Sequence, residues 1–259
     1  MPEVPDPAAA LLAARLSGRA LPAFPAPVPT TLAGAYDIQQ RLTIALGTPV
    51  LGWKVGRIPA PLIETLGAER VAGPVLRIAE LGGAAGAAMV FEGGAGAIEA
   101  EVMLRLRAVP DTEVSGSDDG AAWIGDIRAG FEVASSPAPD VHAHAPFGIV
   151  ADIGINNGLL LGPSLDVAEF MTLAVETRIE GGTVGTGRAI DVLDGPWGSL
   201  NFLLGLHRRG VIALAPGQWI SAGAITGVHP IVIGQRAEAS FGAAATIACT
   251  AVPETGFQS

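Results

Sequence analysis

AIEAEVMLRL, residues 97–106, alternates without a break: Ile98, Ala100, Val102, Leu104 and Leu106 fall on one side, and Glu99, Glu101, Met103 and Arg105 on the other, with Arg107 continuing the second set. A period of two is that of a β-strand, whose successive side chains point to opposite faces. The strand therefore has one apolar face and one that carries two carboxylates. Short alternating runs separated by glycine continue to the C-terminus: GIVADIG (148–154), FMTLAVETRIEGGTVGTG (170–187), WISAGAI (219–225), HPIVIG (229–234), RAEASFG (236–242) and AATIACTAV (244–252). Many short strands with Gly-rich turns predict a mixed, mainly antiparallel β core.

Upstream the texture is different. Asp6 before Pro7 starts a helix over AAALLAARL that Ser17 and Gly18 stop. Thr31 can cap a second helix, with Leu32, Ala35, Ile38, Leu42 and Ala45 at helical spacing and Gly47 at its end. LGWKVG (51–56) reads as a short strand and APLIETLGAE (60–69) as a third helix. The expected class is α+β: residues 1–80 form a mainly helical N-terminal region, packed on a β-rich core over 81–259 with one helical insertion, GSLNFLLGLHRRG (198–210).

Composition narrows the function classes. Of 259 residues, 49% are hydrophobic, enough for a substantial core, and the net charge is −10. Such a charge offers no general attraction to nucleic acid or to anionic membranes. No run approaches the roughly 18 consecutive apolar residues of a membrane span, and Glu3 and Asp6 stand where an export signal carries positive charge. With one cysteine, Cys249, no intrachain disulfide can form. A cytoplasmic address is expected.

Glu99 and Glu101 project the same way, roughly 6.5 to 7 Å apart along a strand, so their carboxylates can converge on one cation. All-oxygen ligation suits Mg²⁺ or Mn²⁺ better than zinc. Alternatively the two acids line a solvated face and pair with arginines. Glu132, inside the apolar run AGFEVASS, is the best third ligand, because an unpaired carboxylate there would be costly; otherwise it partners Arg128. Asp126 and Asp152 are further candidates.

Lys54 of LGWKVG is the only lysine in the chain. Partly desolvated beside a metal-bound acid, its amine would have a pKa lowered towards neutrality and could exchange protons with the substrate. It could instead reach water or a structural acid, or form a Schiff base. The remaining signals are simpler. Gly182, Gly185 and Gly187 read as a hairpin rather than a dinucleotide fingerprint, and HAH (142–144) as a loop, with metal binding by His142 and His144 as the alternative. His207 closes a helix with Arg208 and Arg209, and no serine or cysteine nucleophile motif occurs.

The order of these pieces resembles the 2-keto-4-pentenoate hydratase and 4-oxalocrotonate decarboxylase family of the fumarylacetoacetate hydrolase superfamily. The likeness runs through AYDIQQRL, LGWKVG, GPVL, IEAEVMLRL, GFEV, ADIGINNGLLLG and WISAGAITGVHP. It implies a metal site of Glu99, Glu101 and Glu132 and a catalytic Lys54; the substrate end is expected to draw on Arg57, Asp152, Asn156 and Gly223. It also implies a small-molecule 2-oxo acid substrate and a homo-oligomer, or a complex with a related decarboxylase or hydratase. Three departures bear on the substrate end: GRIP puts Arg57 where a small polar residue is usual, Val71 to Gly73 lack the usual Asp, and Ala224 interrupts the late GSLT pattern. The implied reaction is addition of water to a 2-hydroxydienoate or 2-oxo-enoate acid, giving a 4-hydroxy-2-oxo acid. The alternatives are decarboxylation of a 2-oxo diacid and a non-catalytic subunit.

Overall fold

The computed structural model describes residues 6–82 and 85–257, so Glu3 of the export reading lies outside the described residues. In chain order the helices and strands are α1 (Pro7–Ser17), α2 (Leu32–Leu46), β1 (Gly52–Arg57), α3 (Ala60–Leu66), β2 (Arg70–Val75), β3 (Ile78–Glu80), β4 (Gly86–Val90), β5 (Ala95–Leu106), α4 (Ser117–Gly120), β6 (Ile124–Ser136), α5 (Phe147–Ala151), β7 (Asn156–Ser164), β8 (Val175–Ile179), β9 (Gly182–Gly187), α6 (Gly195–Arg208), β10 (Trp219–Ser221), β11 (His229–Pro230), β12 (Arg236–Phe241) and β13 (Ala245–Pro253).

The helix ends follow the local chemistry. Asp6 accepts from the Ala8 N–H ahead of Pro7, and Gly18 closes α1 in the left-handed conformation. Thr31 accepts from Gly34 N–H at the start of α2, and Gly47 ends it in the same way. The buried faces of both helices, including Leu11, Ile38, Leu42 and Leu46, pack with Val150 and Ile153 in one apolar cluster. Leu42 is wholly enclosed, so Leu42→Ala should cost about 2–5 kcal/mol.

The strands form two mixed sheets. The larger has eight strands in the order β2-β1-β10-β5-β6-β7-β3, with β11 also on β5; the smaller has five, β4-β13-β12-β8-β9. The pairs β1–β10, β4–β13 and β3–β7 are parallel and the others antiparallel. The apolar face of β5, Ile98 to Leu106, is buried in the main core together with Ala237, Phe241 and Ile247 of the smaller sheet. Strands β1 to β3 belong to the same large sheet as β5 and β6, which brings Lys54 to residues far along the chain.

One expected strand is absent. GIVADIG forms α5 and a turn in which Ile153, Gly154 and Ile155 have φ of 48°, 68° and 53°. Left-handed backbone cannot continue a ladder, and its apolar residues are buried without one. The core also holds the short α4 and α5 besides the expected insertion, which is α6. Among the described residues no helix is long and apolar enough to cross a membrane.

Candidate metal centre and its cavity

The register of the large sheet assembles the site. Glu99 of β5 lies directly opposite Glu132 of β6, and Glu101 follows two residues along on the same face. On the other side of β5, Lys54 of β1 is level with Ser221 of β10, and Ser221 with Met103 of β5. The amine and the carboxylates thus share one face of one sheet. One carboxylate oxygen from each of Glu99, Glu101 and Glu132 lies within 4.8 Å of the others, and all three residues are buried. Among the described residues this is the one group of three such side chains close enough to share an ion.

Two of the carboxylates are held from behind. Lys54 Nζ stands 3.3 Å from Glu132 Oε1, and Asn156 Nδ2 donates to the same oxygen at 3.0 Å. Glu101 Oε2 accepts from the Ser221 hydroxyl and, at 2.8 Å, from the Gly223 N–H. The opposite oxygens, Glu101 Oε1 and Glu132 Oε2, are buried with no hydrogen-bond donor. An orphaned buried carboxylate oxygen is expensive, and two of them in a cluster of three acids offer lone pairs aimed at one point, as ligands to a cation do. Oxygen donors of this kind suit a hard divalent cation. The residues present therefore fit a bound Mg²⁺ or Mn²⁺.

The electrostatics agree. Burial, then repulsion from Glu132, pushes Glu99 up to about 8 against the attraction of Lys54. Glu101 is raised by burial and by both neighbouring acids, despite its bonds to Ser221 and Gly223. Burial disfavours the Lys54 ammonium, yet attraction from Glu132, Glu99 and Glu101 outweighs it and holds the amine above its usual pKa. In the metal-free protein, then, the acids around Lys54 stabilise its charge and the amine is raised, whereas the lowering towards neutrality is the expectation beside a metal-bound acid.

A cavity of about 590 Å³ opens on this cluster, with Lys54, Glu99 and Gly223 in its walls and Arg57, Arg70 and His142 elsewhere in its lining. Arg70 is tied to Asp194. Arg57 is exposed and has no ion pair among the described residues.

No protein-family model matches the chain, and no curated protein does. Solved structures do. The chain is similar to 4-oxalocrotonate decarboxylase from Pseudomonas putida G7, complexed with magnesium and adipate: TM-score 0.78, 21% identity, 95% of each chain covered. A fumarylacetoacetate hydrolase family protein from Yersinia pestis CO92 superposes with a TM-score of 0.54 at 16% identity, over 79% of this chain and 94% of that one. The chain has the fold of the fumarylacetoacetate hydrolase superfamily. Fumarylpyruvate hydrolase from Pseudomonas aeruginosa, in complex with Mn²⁺ and pyruvate, shares it at a TM-score of 0.55 and 12% identity, over 77% of this chain and 88% of that one.

Within this superfamily fold, the structure brings Glu99, Glu101, Glu132 and Lys54 together, with Gly223 supporting Glu101 and Arg57 in the cavity lining. Two expected substrate contacts are placed elsewhere. Asp152 is fully buried 2.7 Å from Arg15 Nε and is absent from the cavity lining. Asn156 faces Glu132, and its carbonyl oxygen accepts from Gly158 N–H, so both ends of its amide are used inside the protein. Asp126 pairs with Arg128. His144 bonds Asp140 while His142 reaches the cavity, so the two do not act as one ligand pair. The sequence reading missed Ser221 and Arg15. Ser221 is detectable as the same-face neighbour of Gly223 in WISAG. Arg15 stands four residues after Leu11, on the buried face of α1.

Proposed function

We propose that the chain is a divalent-metal-dependent enzyme acting on a small 2-oxo acid, with Mg²⁺ or Mn²⁺ held by Glu99, Glu101 and Glu132. The observation that carries this reading is the convergence of three buried carboxylates, two of their oxygens without donors, with the single lysine 3.3 Å from one of them. Held by Glu99, Glu101 and Glu132, a bound ion would supply positive charge that favours negative charge developing on the substrate acid.

The protein's own groups do the rest. Ser221, Gly223 and Asn156 fix the carboxylate orientations from behind. Lys54, kept as an ammonium by its acidic neighbours, is the proton donor in the cavity wall, and Glu132 holds its nitrogen in place. Arg57, with no acidic partner of its own among the described residues, can bind a second carboxylate.

That second anchor supports a 2-oxo diacid and its decarboxylation. The bond to the far carboxylate breaks, its electron pair runs through the conjugated chain towards the 2-oxygen, carbon dioxide leaves, and Lys54 returns a proton to carbon. The likeness to the decarboxylase over 95% of both chains supports the same reading. Water addition to a 2-hydroxydienoate is the second reading. It asks only that the cavity of about 590 Å³ admit a water, of roughly 30 Å³, beside a small acid.

The test is to give the purified chain a 2-oxo-3-hexenedioate and a 2-hydroxypentadienoate with Mg²⁺ or Mn²⁺. Carbon dioxide release from the diacid, lost in Lys54→Met, is the expected result. Turnover of the dienoate alone would replace decarboxylation by hydration. No turnover of either, with or without metal, would favour a non-catalytic subunit.

A further inference from the structure

The turn at Ile153–Ile155 is unusual in a way that points at the metal centre. Two β-branched residues flank Gly154 with positive φ, a region such side chains rarely adopt and keep only where the surroundings enforce it. Its neighbours in sequence show what does so. Asp152, immediately before, is fully buried against Arg15. The same guanidinium donates to the backbone oxygens of Asp152 and Ser135 and to Asn157 Oδ1, each at 3.3 Å.

Immediately after the turn, Asn156 donates to the Glu132 oxygen that Lys54 approaches. The turn itself touches the lysine strand. A methyl group on Gly154 would come within 3.2 Å of Lys54 Cδ and 2.7 Å of Gly73 Cα, and Gly73 is the β2 partner of Lys54.

We propose that Arg15 is a positioning residue for the metal centre: from α1 it pins Asp152, and so holds the left-handed turn that seats the stem of Lys54 and aims Asn156 at Glu132. The inference deepens the metal-dependent reading and rests on it. Residues that orient metal ligands without touching the ion typically change metal affinity tenfold to a hundredfold when replaced. A purely structural anchor would lower the melting temperature and leave the centre of the folded protein as it was.

The single lysine provides a direct readout. Full-length protein labelled with ¹⁵N at lysine Nζ has one ammonium signal, that of Lys54. In metal-free Arg15→Met, with the far-ultraviolet circular dichroism of the wild type, this signal is expected to shift or split. Mn²⁺ affinity, followed by the electron paramagnetic resonance of the free ion, is expected to fall at least tenfold. Gly154→Ala and Asn156→Ala interrupt the same relay without opening the buried pair. They should disturb the lysine signal and the Mn²⁺ affinity respectively, and they decide the matter if Arg15→Met does not fold.

A folded Arg15→Met with an unchanged lysine signal and unchanged Mn²⁺ affinity overturns the proposal. So does wild-type behaviour in both of the other variants. If wild type binds no Mn²⁺, the metal-dependent reading fails and takes the proposal with it. Binding by wild type with no change in the variants removes the positioning role alone.

Discussion

Two clusters of buried charge lie on either side of the Ile153–Ile155 turn, and they are built differently. Arg15 and Asp152 form a one-to-one pair with no exposed side-chain surface, the guanidinium spreading its remaining donors over carbonyl oxygens and Asn157. Glu99, Glu101, Glu132 and Lys54 set three acids against one amine; two of their oxygens have no donor and lie in one cluster, whereas the single donor-less oxygen of the first pair, Asp152 Oδ2, stands alone. The first balances its charge with the protein's own groups and stabilises the fold only while both partners remain. The second holds more carboxylates than its one amine can pair, so burial and mutual repulsion favour protons on Glu99 and Glu101 until a cation displaces them, and that exchange marks a binding site rather than a structural pair.

The sharpest way to break this contrast is kinetic. Lys54→Met removes the proton donor while keeping the length of the side chain, and kcat should fall about 10²- to 10⁴-fold in steady-state assays of the diacid. Retention of wild-type kcat would place the lysine outside the chemistry.

Stability measurements should then separate the clusters by sign. In urea unfolding of metal-free protein, Arg15→Met leaves Asp152 buried and alone, and should cost about 3–5 kcal/mol. Glu101→Gln replaces an acid whose charged form is disfavoured by burial and by its acidic neighbours, at nearly constant shape, and should be neutral or stabilising without metal. Equal destabilisation by both would mean that the two clusters are the same kind of object.

The third contrast is with pH. Glu99 titrates near 8 in the folded protein against 4.5 as its ordinary value. Between those values the folded chain keeps a proton that the unfolded chain has released, so stability falls as pH rises. Metal-free protein should therefore melt at lower temperature at pH 8 than at pH 5.5. Saturating Mn²⁺ should diminish that loss, because binding favours the ionised carboxylates. A melting temperature that rises over this range without metal would contradict the raised titration. The smallest effect concerns the far end of the cavity: Arg57→Ala should raise KM for a diacid about tenfold, with little change for a monoacid.

How far the sequence could be read depended on how local the signal was. Helices α1 and α2 were legible because caps, spacing and terminal glycines all lie within a few residues of each other. Glu99 and Glu101 were legible because a period of two places both on one face of β5. Their meeting with Glu132 and Lys54 depends on strand order, which no local pattern encodes; the family resemblance supplied those assignments.

GIVADIG reads as a strand because buried apolar residues look alike in a strand and in a short helix followed by a turn, and nothing in Ile153 or Ile155 announces positive φ. The burial of Asp152 against Arg15 is invisible in sequence because the two lie 137 positions apart. The lysine's raised pKa was missed for a related reason, since burial is visible in LGWKVG and the three acids around it are not.

The most direct test of the account is a Mn²⁺ titration of the metal-free wild type and of Glu101→Ala, following the free ion by electron paramagnetic resonance. One Mn²⁺ should bind per wild-type chain, and that site should be lost in the variant while its circular dichroism is unchanged. No binding by wild type, or equal binding by both, would contradict a metal centre built from Glu99, Glu101 and Glu132.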